Sequence, residues 1–171
     1  EALAPLRKAA EEVPGDAACL RLLGLACHNA GQLDEAAEAL RAATALAPGD
    51  AGCWAQLGLA LQAGGDRAGC IDAYHRALAL DKGLHQSRNN LGVALVESGD
   101  FAAALAAYET VLAAEPANAT AHNNMAMALH KQGKAAAAER HYEAALEGDP
   151  GNADTLNNFG NLRIEQGRVS D

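Results

Sequence analysis

Three pairs of asparagines are the residues whose type and spacing point most clearly to chemistry. They are Asn89-Asn90, Asn123-Asn124 and Asn157-Asn158, each pair 34 residues after the one before. Asparagine inside a helix costs about 0.6 kcal/mol relative to alanine, so the six together forgo about 3 to 4 kcal/mol of helix stability. Each side-chain amide offers two donors and an acceptor, which match the backbone groups of an extended peptide. The pairs therefore predict recognition by hydrogen bonding. The alternative, that amides cap or bridge neighbouring helices, applies mainly to the second Asn of each pair.

The other reactive side chains form no recognisable catalytic or metal site. The four cysteines lack a Cys-x2-Cys spacing, and we expect them to be buried free thiols in a reducing compartment. His122 and His130 are too far apart in sequence for i, i+4 chelation on one helix. The serines lack a Gly-x-Ser-x-Gly context, and no phosphate-binding glycine loop is present. We expect no metal, no cofactor and no catalysis by this segment itself, while a catalytic domain elsewhere in a longer protein stays open.

Composition narrows the classes of partner. The chain carries 22 acidic and 13 basic residues, a net charge of −9, without a basic patch, so nucleic acids and anionic membranes are disfavoured. All six aromatic residues fall on positions expected to pack, which leaves no ring platform for bases or sugars. The longest apolar run, Phe101 to Tyr108, is far shorter than the roughly 20 residues of a membrane span. The first residues, Glu1 to Pro5, show no targeting signal, so we expect a cytoplasmic protein.

A 34-residue period organises the elements that must position the asparagines. Glycines recur at Gly31, Gly65, Gly99, Gly133 and Gly167, and prolines at Pro14, Pro48, Pro116 and Pro150. Each period predicts two helices, the first ended by a left-handed glycine and the second closed by proline. Asp16, Asp50, Asn118 and Asn152 stand where the next helix needs an N-cap. Small residues at Gly24 and its equivalents predict close helix contacts. One hairpin cannot bury its apolar face alone, so the period predicts an all-α fold of stacked hairpins.

The pattern resembles the tetratricopeptide repeat family, with its W-x2-L-G-x2-Y, A-x3-F/Y, A and P signature. The unit at 51–84 carries Trp54, Leu57, Gly58, Tyr74 and Ala77 in the matching places. The resemblance implies a right-handed α-solenoid. We expect the second helix of a partial repeat at 1–16, repeats at 17–50, 51–84, 85–118 and 119–152, and a first helix at 153–171. Arg88 and His122 depart from the signature by replacing its first aromatic residue.

The resemblance also implies where a partner binds, because first helices line the concave face of such a solenoid. Asn90, Asn124 and Asn158 match an asparagine ladder implied for the repeat arms of enzymes similar to O-linked N-acetylglucosamine transferase. The expected peptide-binding residues are Asn89, Asn90, Asn123, Asn124, Asn157, Asn158, Asn161, Gln56, Gln86, Thr120 and Lys131.

We expect a protein–protein interaction module that binds an extended peptide or protein segment. Two alternatives stay open: a substrate-recruiting arm of a larger bacterial glycosyltransferase, and a scaffold that self-associates end to end.

Overall fold

The computed structural model describes residues 3–167, which form ten α-helices and no β-strand. The helices are α1 (Leu3–Glu12), α2 (Ala17–Asn29), α3 (Leu33–Leu46), α4 (Ala51–Ala63), α5 (Arg67–Leu80), α6 (His85–Glu97), α7 (Phe101–Ala114), α8 (Ala119–Lys131), α9 (Ala135–Gly148) and α10 (Ala153–Glu165). The even-numbered helices are called first helices below, and the odd-numbered ones second helices. The expected all-α fold class is confirmed.

The chain divides into two compact units, one ending at Ala94 and the other beginning at Leu95, within α6. In the N-terminal unit, α2 packs on α3 and α4 packs on α5, while α1 contacts α2 and α3 contacts α4. In the C-terminal unit, α8 packs on α9, α7 contacts α8, and α10 contacts both α8 and α9. Each unit therefore contains helical hairpins, α2 with α3 and α4 with α5 in the first and α8 with α9 in the second.

The tight turns follow the glycine period. Gly31 and Gly65 have φ values of 75° and 81°, and Gly99, Gly133 and Gly167 have values of 84°, 73° and 73°. This left-handed backbone carries a steric penalty for residues with a Cβ, which glycine avoids. The prediction that these glycines end the first helices is confirmed.

Helix starts are capped by short acidic or amide side chains. At each predicted cap a side-chain oxygen accepts a backbone N–H at 2.8 to 3.1 Å, as seen at Asp16, Asp50, Asn118 and Asn152. Two further caps were missed from the sequence: Asp66 accepts from the Gly69 N–H at 2.9 Å, and Asp100 accepts from the Ala103 N–H at 3.0 Å. Before α6, Asp81 instead accepts from the Gly83 N–H within the turn.

Close helix contact explains two of the periodic glycines. A Cβ at Gly24 would lie 2.5 Å from Leu40 Cγ, and a Cβ at Gly58 would lie 2.6 Å from Tyr74 Cε1. Real Cβ atoms do not approach so closely, because interiors are already close-packed. Gly160 differs, since no described atom lies within 4 Å of a Cβ built there. The close-contact prediction is therefore confirmed at Gly24 and Gly58. At Gly160 it stays a prediction, because the facing position, sixteen residues later, lies outside the sequence.

The first-aromatic position of the repeat signature has a shared hydrogen-bonding role. In three units its side chain donates to the backbone carbonyl six residues earlier, at 2.9 to 3.0 Å. The pairs are Trp54 Nε1 to Pro48 O, Arg88 Nη2 to Lys82 O, and His122 Nε2 to Pro116 O. Arg88 and His122 depart from the signature in residue type, but they make the same contact to the preceding turn.

Two sequence interpretations of burial need correction. The cysteines were all expected to be buried, and Cys27, Cys53 and Cys70 are, but Cys19 is partly exposed. The aromatic residues were all expected to fall on packing positions, yet Trp54 and Phe101 are half-buried, and Trp54 borders a surface recess. Its indole lies at the start of α4, where only part of the ring is covered by neighbouring helices.

Candidate functional site

The predicted binding residues lie on the first helices, and they differ in exposure. Gln86, Thr120, Lys131, Asn157 and Asn161 are exposed. Half-buried positions are Gln56, Asn90, Asn123, Asn124 and Asn158. These ten side chains retain some contact with solvent.

Asn89 is the exception, because its side chain is in the core. It is 1% exposed, and its buried Oδ1 has no hydrogen-bond partner among the described residues. A side chain this deeply buried does not reach a ligand. The expectation that Asn89 contributes to a binding surface is therefore wrong, and no feature of the sequence separated it from Asn123 or Asn157.

In the C-terminal unit the amides form a linked group across α8 and α10. Asn158 Nδ2 donates to Asn123 Oδ1 at 3.4 Å, and Asn123 Nδ2 donates to Asn124 Oδ1 at 3.5 Å. Both distances exceed the usual 2.9 to 3.0 Å of N–H···O bonds, so these bonds are weak. They use only part of the donor and acceptor capacity of the three side chains.

Beside this group lies a recess of about 610 Å³ between α8 and α10, which we call the α8–α10 recess. Its lining combines apolar, amide and charged side chains: Met127, His130, Lys131, Tyr142, Asn158, Asn161, Ile164 and Glu165. Ile164 is 58% exposed, so an apolar surface is available beside the amides. The recess brings together three of the predicted residues, Lys131, Asn158 and Asn161.

The electrostatics of the α8–α10 recess are close to neutral. His130 Nε2 and Glu165 Oε2 are 2.8 Å apart, so the Glu165 carboxylate already has a partner. Burial, and secondarily Glu165, raise the pKa of Tyr142 to about 12. Its hydroxyl is therefore protonated and uncharged at neutral pH, and the Tyr142 side chain is buried beneath the recess.

In the N-terminal unit, Asn90 takes part in contacts within the protein. Gln86 Nε2 donates to Asn90 Oδ1 at 3.1 Å, one turn away on α6. Burial raises the pKa of the Tyr74 hydroxyl, and a side-chain hydrogen bond from Asn90 partly opposes this. Tyr74 in turn donates to Gln62 Oε1 at 2.9 Å. The Asn90 side chain is thus engaged within the protein, in line with the alternative role considered for the second Asn of each pair.

An apolar surface on the first helices was missed from the sequence. Leu22, Leu25 and Leu59 are 49%, 37% and 38% exposed, on α2 and α4. Leu25 and Leu59 are 34 residues apart, and the next residues in that series are Val93 and Met127. This recurrence of apolar residues at one repeat position is the signal in the sequence that predicts the surface.

Neither a metal-binding cluster nor a membrane-spanning helix is present among the described residues. Among residues 3–167, no three His, Cys, Asp or Glu side chains are grouped so that they could hold a metal ion. Over the same range, none of the helices has the length and apolar character needed to cross a bilayer.

Comparison with known families decides the classification. Residues 17–50 and residues 89–153 match family models described as tetratricopeptide repeat, and together these matches cover more than half of the chain. The chain belongs to the tetratricopeptide repeat family. Tetratricopeptide repeats generally mediate protein–protein interaction, and they typically act by binding and not by catalysis.

Solved tetratricopeptide repeat structures share the fold. A crystal structure of MamA is 25% identical, covers 89% of this chain and 89% of its own, and has a TM-score of 0.82. YrrB, described as a TPR protein with an unusual peptide-binding site, is 21% identical over 95% of this chain and 84% of its own, with a TM-score of 0.73. TTC0263, described as a thermophilic TPR protein in Thermus thermophilus, is 20% identical over 95% and 89%, with a TM-score of 0.76. No curated protein matched the chain.

Proposed function

We propose that this tetratricopeptide repeat protein binds an extended protein segment on the surface of its first helices. The α8–α10 recess is the observation that carries the proposal, because it places amide side chains beside an exposed apolar surface. Small-molecule and peptide sites commonly combine apolar contact area with a few polar groups that fix orientation. Peptide binding by YrrB, a neighbour in fold, is consistent with this class of partner.

The amides would contact the backbone of the ligand. Asn123, Asn124 and Asn158 hold one another by bonds of 3.4 to 3.5 Å, which a ligand backbone can replace with shorter ones. Exchange of a weak bond for a stronger one makes the contact favourable at little desolvation cost. Backbone groups are common to all sequences, so this part of the site would favour extended conformation over particular side chains.

Side-chain preference would come from the apolar lining. Met127 and Ile164 offer an apolar surface within the α8–α10 recess. The pairing of His130 with Glu165 leaves Lys131 as the charged lining residue without a described ion pair. We expect a ligand with an aliphatic side chain at this point and no basic residue beside it.

The test begins with short linear peptides selected from a random displayed library against the protein. In the variant Asn124→Ala/Asn158→Ala, we expect an unchanged or higher melting temperature, because alanine favours helix. Binding of the selected peptides should be lost. Glu143→Ala, an exposed change on the second helix α9, is the matched control and should bind normally. Normal binding by the double variant would contradict the amide contacts, and its unfolding would show that the amides are structural.

Two narrower hypotheses and the cellular location remain proposals. A role as the recruiting arm of a bacterial glycosyltransferase requires a catalytic domain in the same polypeptide, which the sequence beyond Asp171 would reveal. End-to-end self-association requires sedimentation that depends on concentration. A cytoplasmic location is consistent with the free thiols Cys27 and Cys53.

A further inference from the structure

A second recess lies in the N-terminal unit, between the second helices α3 and α5 and the first helix α4. Its volume is about 470 Å³. It is lined mainly by apolar and small residues: Arg41, Thr44, Ala45, Pro48, Trp54, Leu57, Leu61, Gly69, Asp72 and Ala73. We call it the Trp54 recess. None of these residues belongs to the first-helix site proposed above.

The recess is open because three of its residues are small. Thr44, Gly69 and Ala73 occupy the same repeat positions as Leu112, Ala137 and His141 in the C-terminal unit, 68 residues later. There, the His141 ring packs against His122 with ring centroids 5.3 Å apart and planes tilted by 34°. His122 itself occupies the position of Trp54. At the repeat position where the N-terminal unit has Ala73, the C-terminal unit thus has the His141 ring.

The Trp54 indole forms one side of the recess and is held in place by contacts to neighbouring residues. Its Nε1 donates to Pro48 O at 2.9 Å, which fixes the indole on the turn before α4. The Arg76 guanidinium lies 4.9 Å from the indole centroid. A smaller recess of about 230 Å³ adjoins the same indole and is bordered by Leu80, which is 48% exposed. Trp54 therefore borders two neighbouring recesses, each with apolar lining.

The charges at the rim indicate an uncharged occupant. Arg41 pairs with Asp66 at 3.5 Å, and Arg76 pairs with Asp72 at 2.8 Å. A charged group entering the recess would lose hydration and meet only charges that already have partners. A neutral ring would cover apolar lining and pack against the indole in the offset or tilted geometry that aromatic pairs favour.

We propose that the Trp54 recess binds an uncharged aromatic side chain presented by a partner protein. The ring would lie where His141 lies in the C-terminal unit, packed against Trp54 as His141 packs against His122. This interaction surface shares no residue with the first-helix site.

Trp54 is the only tryptophan in the chain, so its fluorescence reports directly on the recess. The probes are N-acetyl-Gly-Phe-Gly-amide and the matched peptides with Leu, Glu or Lys at the centre. The phenylalanine peptide should change the Trp54 emission saturably. The leucine peptide should bind at least about threefold more weakly, and the charged peptides at least about tenfold more weakly, as expected for misfits in an apolar site.

The decisive variant fills the recess with the residues of the C-terminal unit, Thr44→Leu/Ala73→His. It should keep its helix content and lose at least about tenfold in affinity for the phenylalanine peptide. Thr44→Leu alone, a smaller change, provides a second test if the double variant fails to fold. An unchanged response in a folded filled variant would overturn the proposal, as would equal binding of the charged peptides. Emission that changes with protein concentration alone would instead assign the recess to a second copy of the chain.

Discussion

At the residue scale, buried polar groups in matching repeat positions have different partners. The Tyr74 hydroxyl donates to Gln62, while the buried Tyr108 hydroxyl has no partner among the described residues. The residue twelve positions before Tyr108 is Val96, where the other unit has Gln62. An unsatisfied buried hydroxyl lowers stability, whereas a paired one raises it. The two tyrosines should therefore respond differently to loss of the hydroxyl.

Tyr74→Phe should destabilise the protein by about 1 kcal/mol, because it removes the bond to Gln62. Tyr108→Phe should leave the free energy of unfolding unchanged or raise it slightly, since no bond is lost. Urea unfolding followed by circular dichroism measures both changes. Equal destabilisation by the two variants would show that the Tyr108 hydroxyl is satisfied in solution.

The contact between His122 and His141 predicts a dependence of stability on pH. Their Nδ1 atoms are 3.0 Å apart, and His122 Nε2 must carry a proton because Pro116 O can only accept. When both rings are neutral, His141 Nδ1–H therefore donates to His122 Nδ1. A proton added at His141 Nε2 leaves this hydrogen bond in place.

Burial, then the neighbouring His122 and Arg140, lower the pKa of His141 in the folded protein, and Glu109 opposes this shift. As pH falls, the unfolded chain takes up the proton first, so stability falls below the ordinary histidine pKa of about 6.5. Urea unfolding at about pH 7.5 and about pH 5.5 should show this loss. His141→Ala should reduce the pH dependence, because it removes the titrating ring. We expect the variant to fold, since Ala39, Ala73 and Ala107 occupy the same repeat position. If the pH dependence of stability were the same in His141→Ala as in the parent protein, it would arise from titrating groups other than His141.

At the element scale, helix pairs are held at fixed separations by small residues. Gly58 faces the Tyr74 ring, and Gly24 faces Leu40, while Gly160 has open space around it. Glycine lowers helix stability, so it is useful only where a neighbour leaves no room for a Cβ. Replacing glycine by alanine should therefore lower stability at Gly58 and raise it at Gly160, although the two positions are equivalent in the repeat.

Gly58→Ala should destabilise the protein by about 1 to 3 kcal/mol, because the methyl group would overlap the Tyr74 ring. Gly160→Ala is the matched change and should stabilise α10 by up to about 1 kcal/mol through helix propensity alone. Thermal unfolding of the two variants beside the parent protein makes the comparison. A lower melting temperature for Gly160→Ala would mean that another surface covers α10 in solution.

Local elements were predictable from the sequence because their causes are local. The turn at Gly31 and the cap at Asp16 each depend on residues within a few positions of one another. The burial of Asn89, the contact of His122 with His141, and the opening beside Trp54 depend on side chains from different helices. Ala73 is unremarkable in sequence, and only the folded structure places it in the lining of a recess together with Thr44 of α3 and Gly69 of α5. These features of the candidate sites therefore required the structure.

At the scale of the whole molecule, exposed acidic residues and the predicted binding residues lie on different helices. The chain has a net charge of −9, yet Lys131 is the only charged member of the predicted binding set. Solvated acidic residues such as Asp34, Glu38 and Glu143 lie on second helices and are exposed. The charge can keep the protein soluble while the binding contacts stay neutral.

Binding of selected peptides should therefore depend little on salt. Between about 50 and about 500 mM NaCl, we expect the dissociation constant to change by less than about twofold, because neutral amide contacts are not screened. Isothermal titration at the two salt concentrations gives the measurement. A loss of affinity of about tenfold at high salt would assign the binding to Lys131 or to other charged groups.

The hydrogen bonds of Trp54, Arg88 and His122 to the preceding turn also have a consequence for how this sequence is compared with others. A score based on size or hydropathy treats an indole, a guanidinium and an imidazole as unrelated. As hydrogen-bond donors the three side chains are equivalent, since in each of them one N–H group donates to the backbone carbonyl six residues earlier. A repeat profile that rewarded a donor at this position, whatever its ring or charge, would recognise units that a search for an aromatic residue passes over.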